Sequence, residues 1–475
     1  MNIFFRCIKP AILISIILAR FANSQVPDTT WTKVYGGINY DRGYSASQTT
    51  DRGYILGAYT ASFGNGGDDM WLIKTNPAGY TIWARVYGGN DNDRCCSVQQ
   101  TADGGYIVAG ETQSFGAGSM DMYLIKTDSV GDTLWTKTYG GPGAEQCHSM
   151  QQTSDGGYIL GGDLLIKVDS LGNVVWTNSF AGDIWSVQQA VDGGYIACGM
   201  TSTTPRDILL ARVNENGDTV WTKAYGGSSF DDGYSVKQTL DGGYIVAGGT
   251  NTQTGNGFDV YLIKTDSNGD TVWTKTHGGS FEDMARSVQQ TPDGGFIVVG
   301  QTESFGSGMY DVWLLRIDID GDTLWTRTYG GGDYDSGTSV QRTDDYGYII
   351  AGYTNSFGAG YSDVWLLKIG RDEYAAYENK KIDIEKIGME IYPNPFRIKI
   401  NIRFPMTLDS KIGIYDIAGN LIKQFDNSVD DRENVISWCG EDNKGGIVPN
   451  GIYFVKLQSL SHTEIRKLVF MRDEN

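Results

Sequence analysis

Six carboxylates recur at one position of a repeated sequence and are the first candidates for chemistry. Each lies four residues before a serine, and the fourth repeat offers Asp183 one residue later than the others. Carboxylate oxygens are the ligands that Ca²⁺ prefers, so a ring of such acids could hold calcium, the only candidate cofactor. Alternatively, each acid accepts hydrogen bonds from the backbone of its own loop, as Asp does at many turns. The candidate metal ligands are Asp41, Asp93, Glu145, Asp231, Asp283 and Asp335.

A second candidate site follows from three neighbouring loops that are shorter than their counterparts in other repeats. They lie at residues 161–165, 181–184 and 201–206. We expect their shortness to leave a notch, and a concave site with an aromatic and a few polar groups is the default binding hypothesis. Loop loss without function is the alternative. The candidate binding residues are His148, Asp163, Asp183, Trp185 and Arg206.

No set of residues in the sequence demands catalysis, and we assign no catalytic residue. Glycoside hydrolysis needs two suitably placed carboxylates. Nearly every acid here is repeated, and the exceptions Glu111, Asp183, Glu282 and Glu303 have no evident partner in the sequence. With three histidines, the chain shows no Ser-His-Asp order, metal-ligand spacing or phosphate loop. A glycan-degrading hydrolase is therefore kept only as the alternative function.

The elements that must position these groups are strands of a propeller. The phrase Trp-Thr-Lys-x-Tyr-Gly-Gly recurs with small variations at spacings of 52, 52, 41, 45, 52 and 52 residues. A period near fifty residues, with four short strand-like segments per unit, predicts a β-propeller. We expect the recurrent tryptophans to pack between blades. They are Trp31, Trp83, Trp135, Trp176, Trp221, Trp273 and Trp325.

The ends of the repeat region predict how the ring closes. The last unit stops without a Trp strand, whereas the chain begins with an unpaired one at Trp31–Tyr35. Placing this strand in the final blade completes seven blades and removes an unpaired edge. The strand order resembles that of kelch-type propellers. The phrase Asp-Gly-Gly-Tyr-Ile-Val-Ala-Gly also resembles repeats of secreted bacterial proteins, some of which carry an endoglucanase label.

The last fifth of the chain has a different β signature. Its motifs are Tyr392-Pro-Asn-Pro-Phe396, Ile414-Tyr-Asp-Ile-Ala-Gly419 and Val448-Pro-Asn-Gly-Ile-Tyr-Phe454, followed by Lys467-Leu-Val. They resemble the C-terminal sorting domain of the type IX secretion system and the Ig-like domain of flagellar hook-capping proteins. This resemblance implies a small Ig-like β-sandwich and makes the secretion machinery a partner.

The N-terminus and the charge balance indicate where the protein acts. Basic Arg6 and Lys9, an apolar run over 11–19 and the small residues 22–24 predict a secretory signal peptide, and no other segment could span a membrane as a helix. A net charge of -19 opposes binding to nucleic acid or anionic lipid. We expect a signal peptide at 1–24, a seven-bladed propeller at 25–370, a linker at 371–387 and an Ig-like sorting domain at 388–475.

Together these features predict a secreted or cell-surface binding or adhesion module for carbohydrate or another surface polymer. The thiols of Cys95, Cys96 and Cys147 leave one further question open. A bridge from Cys147 to Cys95 or Cys96 and free thiols are both compatible with the sequence.

Overall fold

A computed structural model describes residues 26–251, 257–372, 390–392, 396–397, 399–403, 411–417, 419–425, 435–458 and 463–472. The predicted signal peptide at 1–24 and residues 373–387 of the predicted linker lie outside the described residues. The chain divides into two compact units, residues 1–376 and 377–475.

The first unit consists of seven antiparallel sheets of four strands each, which confirms the predicted all-β propeller. We number the blades along the chain. Blade 1 has β2 (Asp41–Gln48), β3 (Tyr54–Thr60), β4 (Asp69–Thr75) and β5 (Thr81–Tyr87), and blade 2 has β6 (Asp93–Gln100), β7 (Tyr106–Thr112), β8 (Asp121–Thr127) and β9 (Thr133–Tyr139). Blade 3 has β10 (Cys147–Gln152), β11 (Tyr158–Gly162), β12 (Leu165–Val168) and β13 (Val174–Asn178), and blade 4 has β14 (Gly182–Gln189), β15 (Tyr195–Thr201), β16 (Ile208–Val213) and β17 (Thr219–Tyr225). Blade 5 has β18 (Asp231–Gln238), β19 (Tyr244–Asn251), β20 (Phe258–Thr265) and β21 (Thr271–His277), and blade 6 has β22 (Asp283–Gln290), β23 (Phe296–Thr302), β24 (Asp311–Ile317) and β25 (Thr323–Tyr329). Blade 7 has β26 (Asp335–Arg342), β27 (Tyr348–Thr354), β28 (Asp363–Ile369) and β1 (Thr29–Tyr35).

The repeated Asp-Gly-Gly turn explains why the first and second strands of a blade form a tight hairpin. In blade 5, Gly242 has a φ of 83°, a conformation that favours glycine. Asp241 accepts a hydrogen bond from the Gly243 N–H at 3.1 Å and forms an ion pair of 2.9 Å with the buried Lys264. The turn is thereby tied to the third strand of the same blade.

The recurrent tryptophans hold neighbouring blades together, as expected. In an edge-to-face contact, Trp83 of the outer strand of blade 1 packs on Tyr106 of blade 2, with ring centroids 5.6 Å apart. The Tyr87 hydroxyl, at the end of the same strand, donates to the Gly131 carbonyl of blade 2 at 2.5 Å. The Trp-Thr-Lys-x-Tyr phrase is thus a device for joining blades.

The ring is closed by the first strand of the chain. β1 pairs antiparallel with β28, with Val34 opposite Trp365, so the final blade takes strands from both ends of the unit. Contacts of the propeller extend to Asp372, which is fully buried and accepts a hydrogen bond from Arg316 Nε at 2.9 Å. Contacts of the first unit therefore include Asp372, two residues after position 370.

The second unit contains two sheets around one apolar core. One sheet has β29 (Glu390–Tyr392), β30 (Ile400–Arg403) and β33 (Val435–Trp438), and the other has β31 (Lys411–Asp416), β32 (Leu421–Phe425), β34 (Gly451–Gln458) and β35 (Thr463–Phe470). Trp438 and Phe470 are buried in the core, next to Phe396. This arrangement is the expected small β-sandwich.

Candidate functional site

The innermost strand of every blade contains a β-bulge at the same position. The register of β2 against β3 shifts between Gly43 and Ser45, and the corresponding shift is present in the other six blades. A bulge leaves one residue unpaired and redirects its side chain. All seven bulge residues are partly exposed, and all line a central channel. This bulge ring consists of Tyr44, Cys96, His148, Trp185, Tyr234, Arg286 and Thr338.

The residue after each bulge is always serine, and these serines fasten the inner strands to one another. The Ser235 hydroxyl accepts a hydrogen bond from the Val288 N–H of the next blade at 3.2 Å. Across the closure, the Ser339 hydroxyl accepts from the Ala46 N–H at 3.4 Å. The framework is therefore constant around the channel, whereas the bulge residue changes from blade to blade.

The channel has a volume of about 860 Å³, within the range of small-molecule and cofactor sites. Its charged lining comprises three cations, Arg94, Lys237 and Arg286, and one carboxylate, Glu111. Arg94 is paired with Asp68 at 2.7 Å and approaches Glu111 at 4.0 Å, whereas no described carboxylate forms an ion pair with Lys237 or Arg286. The channel is thus cationic in a chain whose net charge is -19.

Four members of the bulge ring form a continuous wall on one side of the channel. His148 stacks on Trp185 with ring centroids 3.9 Å apart and planes 4° from parallel, and Trp185 meets Tyr234 edge to face at 5.2 Å. Arg286 lies over the Tyr234 ring at 4.3 Å. We call these four side chains the aromatic wall. Burial lowers the pKa of His148 to about 4, so this ring is neutral near pH 7.

The structure places the notch residues beside this wall. The stack joins His148 and Trp185, and Asp163 accepts a hydrogen bond from the Gln146 N–H at 2.8 Å. Burial raises the pKa of Asp163, and the negative charge of the neighbouring Asp183 carboxyl raises it further. Arg206 is held in an ion pair with Asp232. Four of the five candidate residues therefore meet, and the fifth has a carboxylate partner in blade 5.

The six repeated acids are engaged by their own loops. Asp93 accepts hydrogen bonds from the Gly89 N–H at 2.8 Å and from the Ser114 hydroxyl at 2.7 Å. The equivalent glycine N–H donates to each of the others, Asp41, Glu145, Asp231, Asp283 and Asp335. Five of the six are buried, Glu145 being partly exposed. Within the described ranges, no three or more acidic, His or Cys side chains are grouped so that they could hold a metal ion. These contacts favour the capping interpretation.

Cys96 of the bulge ring lies 3.8 Å from Cys147 of the next blade, measured between the sulfur atoms. Burial raises the pKa of the Cys96 thiol. All the described cysteines are free thiols in the structure.

Sequence reasoning identified His148 and Trp185 but missed the rest of the bulge ring. The signal that could have found it is variation inside a repeat. Each blade repeats an acid at or near the start of its first strand and a serine four residues later, or three residues later in blade 4. The residue just before this serine, in contrast, is of six different types in the seven blades. A position that varies inside an otherwise repeated strand indicates a side chain that is not needed to hold the blade together and can contact something else.

Comparison with known proteins identifies the second unit. Residues 390–471 match the family of secretion system C-terminal sorting domains. The chain is thus a β-propeller protein with a type IX secretion sorting domain, exported to the cell surface or to the outside of the cell.

Solved structures similar to this chain include PorZ, an essential bacterial surface component of the type-IX secretion system of Porphyromonas gingivalis. The similarity covers 92% of this chain and 60% of PorZ, with 13% identity and a TM-score of 0.43. The Pan2 WD40 domain of Neurospora crassa is similar over 73% of this chain and 96% of that domain, with 11% identity and a TM-score of 0.47.

A curated relative is the regulatory protein FlaEY of Caulobacter vibrioides. It is 27% identical over 110 residues, which are 20% of this chain and 12% of FlaEY. The match therefore spans only a small part of that protein. No helix in the described part of the chain has the length and hydropathy needed to cross a membrane.

Proposed function

We propose that this exported propeller binds a carbohydrate or another surface polymer at the channel, through the aromatic wall. The observation that carries this proposal is the bulge ring. Its seven side chains occupy equivalent positions in the seven blades and line the channel, and each is followed by a serine that joins neighbouring inner strands.

The aromatic wall supports a ligand with apolar faces and hydroxyl groups. Trp185 and Tyr234 are large rings that are already held in place, so little side-chain freedom is lost on binding. The Trp185 Nε1–H is buried without a hydrogen-bond partner in the described structure. A buried donor of this kind favours a ligand that supplies an acceptor.

The test is equilibrium binding of the full chain to a panel of plant, algal and microbial polysaccharides. Trp185→Ala should weaken binding about two- to twelvefold, because an aromatic contact contributes roughly 0.5–1.5 kcal/mol. The control is Tyr80→Ala, which removes an exposed aromatic ring from a turn between β4 and β5. Equal affinities of the two variants, or no binding of any polymer, would refute the proposal.

The second candidate function is a glycan-degrading hydrolase, favoured by the contact between Asp163 and Asp183. The raised pKa of Asp163 suits a general acid. A retaining enzyme holds its two carboxyls roughly 5 Å apart and an inverting enzyme holds them farther apart, so a hydrolase requires one of these separations between Asp163 and Asp183. Reducing-end release that is abolished by Asp163→Asn would establish the hydrolase, and no release by the unmodified chain would exclude it for that panel.

A further inference from the structure

A second position repeats around the channel, two residues after each of the serines, and two blades depart from the residue that the others have there. Five blades have glutamine at this position, blade 1 has Ser47 and blade 5 has Lys237. Six of the seven side chains line the channel, the exception being Gln188. The glutamines are Gln99, Gln151, Gln188, Gln289 and Gln341.

Several of these glutamines act as acceptors between blades. Gln188 Oε1 accepts a hydrogen bond from the Gln238 N–H of the next blade at 2.8 Å, and Gln151 Oε1 accepts from the Gln189 N–H at 2.6 Å. Their role is to satisfy a backbone N–H that points across the blade interface.

Lysine at this position reverses the hydrogen-bonding chemistry. An ammonium group has three donors and no acceptor, so Lys237 cannot accept from the equivalent Gln290 N–H. The Gln290 side chain is engaged elsewhere, because its Oε1 accepts from the Leu240 N–H at 2.8 Å and its Nε2 donates to Gly294. By its equivalence to Gln189 and Gln238, the Gln290 N–H faces the position of Lys237, so two donors meet where other blades pair a donor with an acceptor.

The surroundings of Lys237 supply no counterion. No described carboxylate forms an ion pair with it, and its titratable neighbour Cys198 is a buried thiol whose pKa is raised by that burial. Desolvation lowers the pKa of Lys237 itself, which records the cost of holding this charge without a partner. The side chain remains partly exposed to the channel.

The position of Lys237 relates it to the aromatic wall. Ser235 and Lys237 lie on the same face of β18, about 7 Å apart along the strand, and Tyr234 is the bulge residue just before them. Arg286, the unpaired cation of the wall, belongs to the adjacent strand β22. Lys237 and Arg286, neither of which forms an ion pair with a described carboxylate, therefore lie on adjacent strands at the Tyr234 side of the channel.

We propose that Lys237 and the Gln290 N–H bind an oxyanion substituent, a carboxylate or a sulfate ester, of an acidic glycan held in the channel. This inference rests on the proposed carbohydrate-binding function and adds to it the charge class of the ligand. Charge-assisted hydrogen bonds from an ammonium group and a backbone N–H are the recognition chemistry.

The experiment compares three oligosaccharides of equal length with the full chain by titration calorimetry: neutral glucan, oligogalacturonate and a sulfated galactan. The variant is Lys237→Gln, which restores the residue present in five other blades and supplies an acceptor for the Gln290 N–H. The control is Lys223→Gln, which removes the same charge from the outer strand of blade 4, where Lys223 pairs with Asp270.

We expect the unmodified chain to bind at least one of the two acidic ligands about tenfold more tightly than the neutral one. Lys237→Gln should abolish this preference, whereas Lys223→Gln should keep it. The carboxylate and sulfate arms identify which oxyanion is preferred.

A preference that survives in Lys237→Gln, or that is lost equally in Lys223→Gln, would overturn the inference. Equal binding of neutral and acidic oligosaccharides by the unmodified chain would refute the inference alone and leave the proposed function standing. Absence of binding to all three ligands would refute both.

Discussion

Replacement of Asp372 by alanine should destabilise the propeller strongly, although this residue lies beyond the last strand. Asp372 and Arg316 are both fully buried, with Arg316 Nε 2.9 Å from Asp372 Oδ2, and the Tyr348 hydroxyl also donates to Asp372. Removing one partner of a buried ion pair typically costs about 3–5 kcal/mol. Because Arg316 keeps its pair with Asp293, we expect the lower end, about 3 kcal/mol.

The assay is urea unfolding of the full chain, followed by tryptophan fluorescence. Eleven of the twelve tryptophans precede residue 370, so the signal reports mainly on the propeller. The control is Asp333→Ala, at an exposed position, which should change stability by less than about 0.5 kcal/mol. A loss in Asp372→Ala no larger than in this control would refute the reasoning and return the propeller boundary to residue 370.

Four other features of the chain have measurable consequences. Hydrogen bonds from Thr101 and Lys126 outweigh desolvation and lower the pKa of Asp103 to about 2, and Thr153 and Lys167 do the same for Asp155. Because the pKa of Asp in the unfolded chain is about 3.9, this stabilisation is present above pH 4 and is lost as the pH falls toward about 2. In the double variant that combines Asp103→Asn with Asp155→Asn, the urea midpoint should therefore fall less steeply over this pH range than in the unmodified chain. Chelation of Ca²⁺ should leave the thermal midpoint unchanged, because the six repeated acids have protein donors; a decrease that added Ca²⁺ reverses would restore the metal interpretation. Mild oxidation with a disulfide reagent should join Cys96 to Cys147 in the native chain but slowly, because burial disfavours the Cys96 thiolate; peptide mapping that finds a Cys95 bridge instead would contradict the 3.8 Å contact. Removal of residues 390–471 should retain the protein inside the cell envelope, as cell fractionation would show, and surface delivery of the shortened chain would refute a sorting role.

Much of the fold could be predicted because each blade repeats the same sequence phrases. The Trp-Thr-Lys-x-Tyr phrase, the Asp-Gly-Gly turn and the unpaired Trp31 strand each specify a local contact that the structure shows, between blades, within a hairpin and across the closure. The sorting unit was recognisable because its motifs supply core residues such as Phe396.

The channel chemistry was harder to predict, for a physical reason. A strand pattern with a period of two places alternate residues on opposite faces, and a bulge breaks that period at one residue. Without the bulge, Tyr44 and Tyr234 are assigned to the wrong face. Asp372 was missed because its partner Arg316 is 56 residues away in the sequence and has no counterpart phrase nearby.

Hydroxyl-radical footprinting of the full chain, with and without a saturating polysaccharide identified by the binding panel, shows directly whether the ligand occupies the channel. We predict that the ligand protects Trp185 and Tyr234 of the aromatic wall and leaves the exposed Tyr80 unchanged. Protection confined to aromatics outside the channel, with Trp185 and Tyr234 equally reactive in both samples, would contradict the assignment of the channel as the binding site.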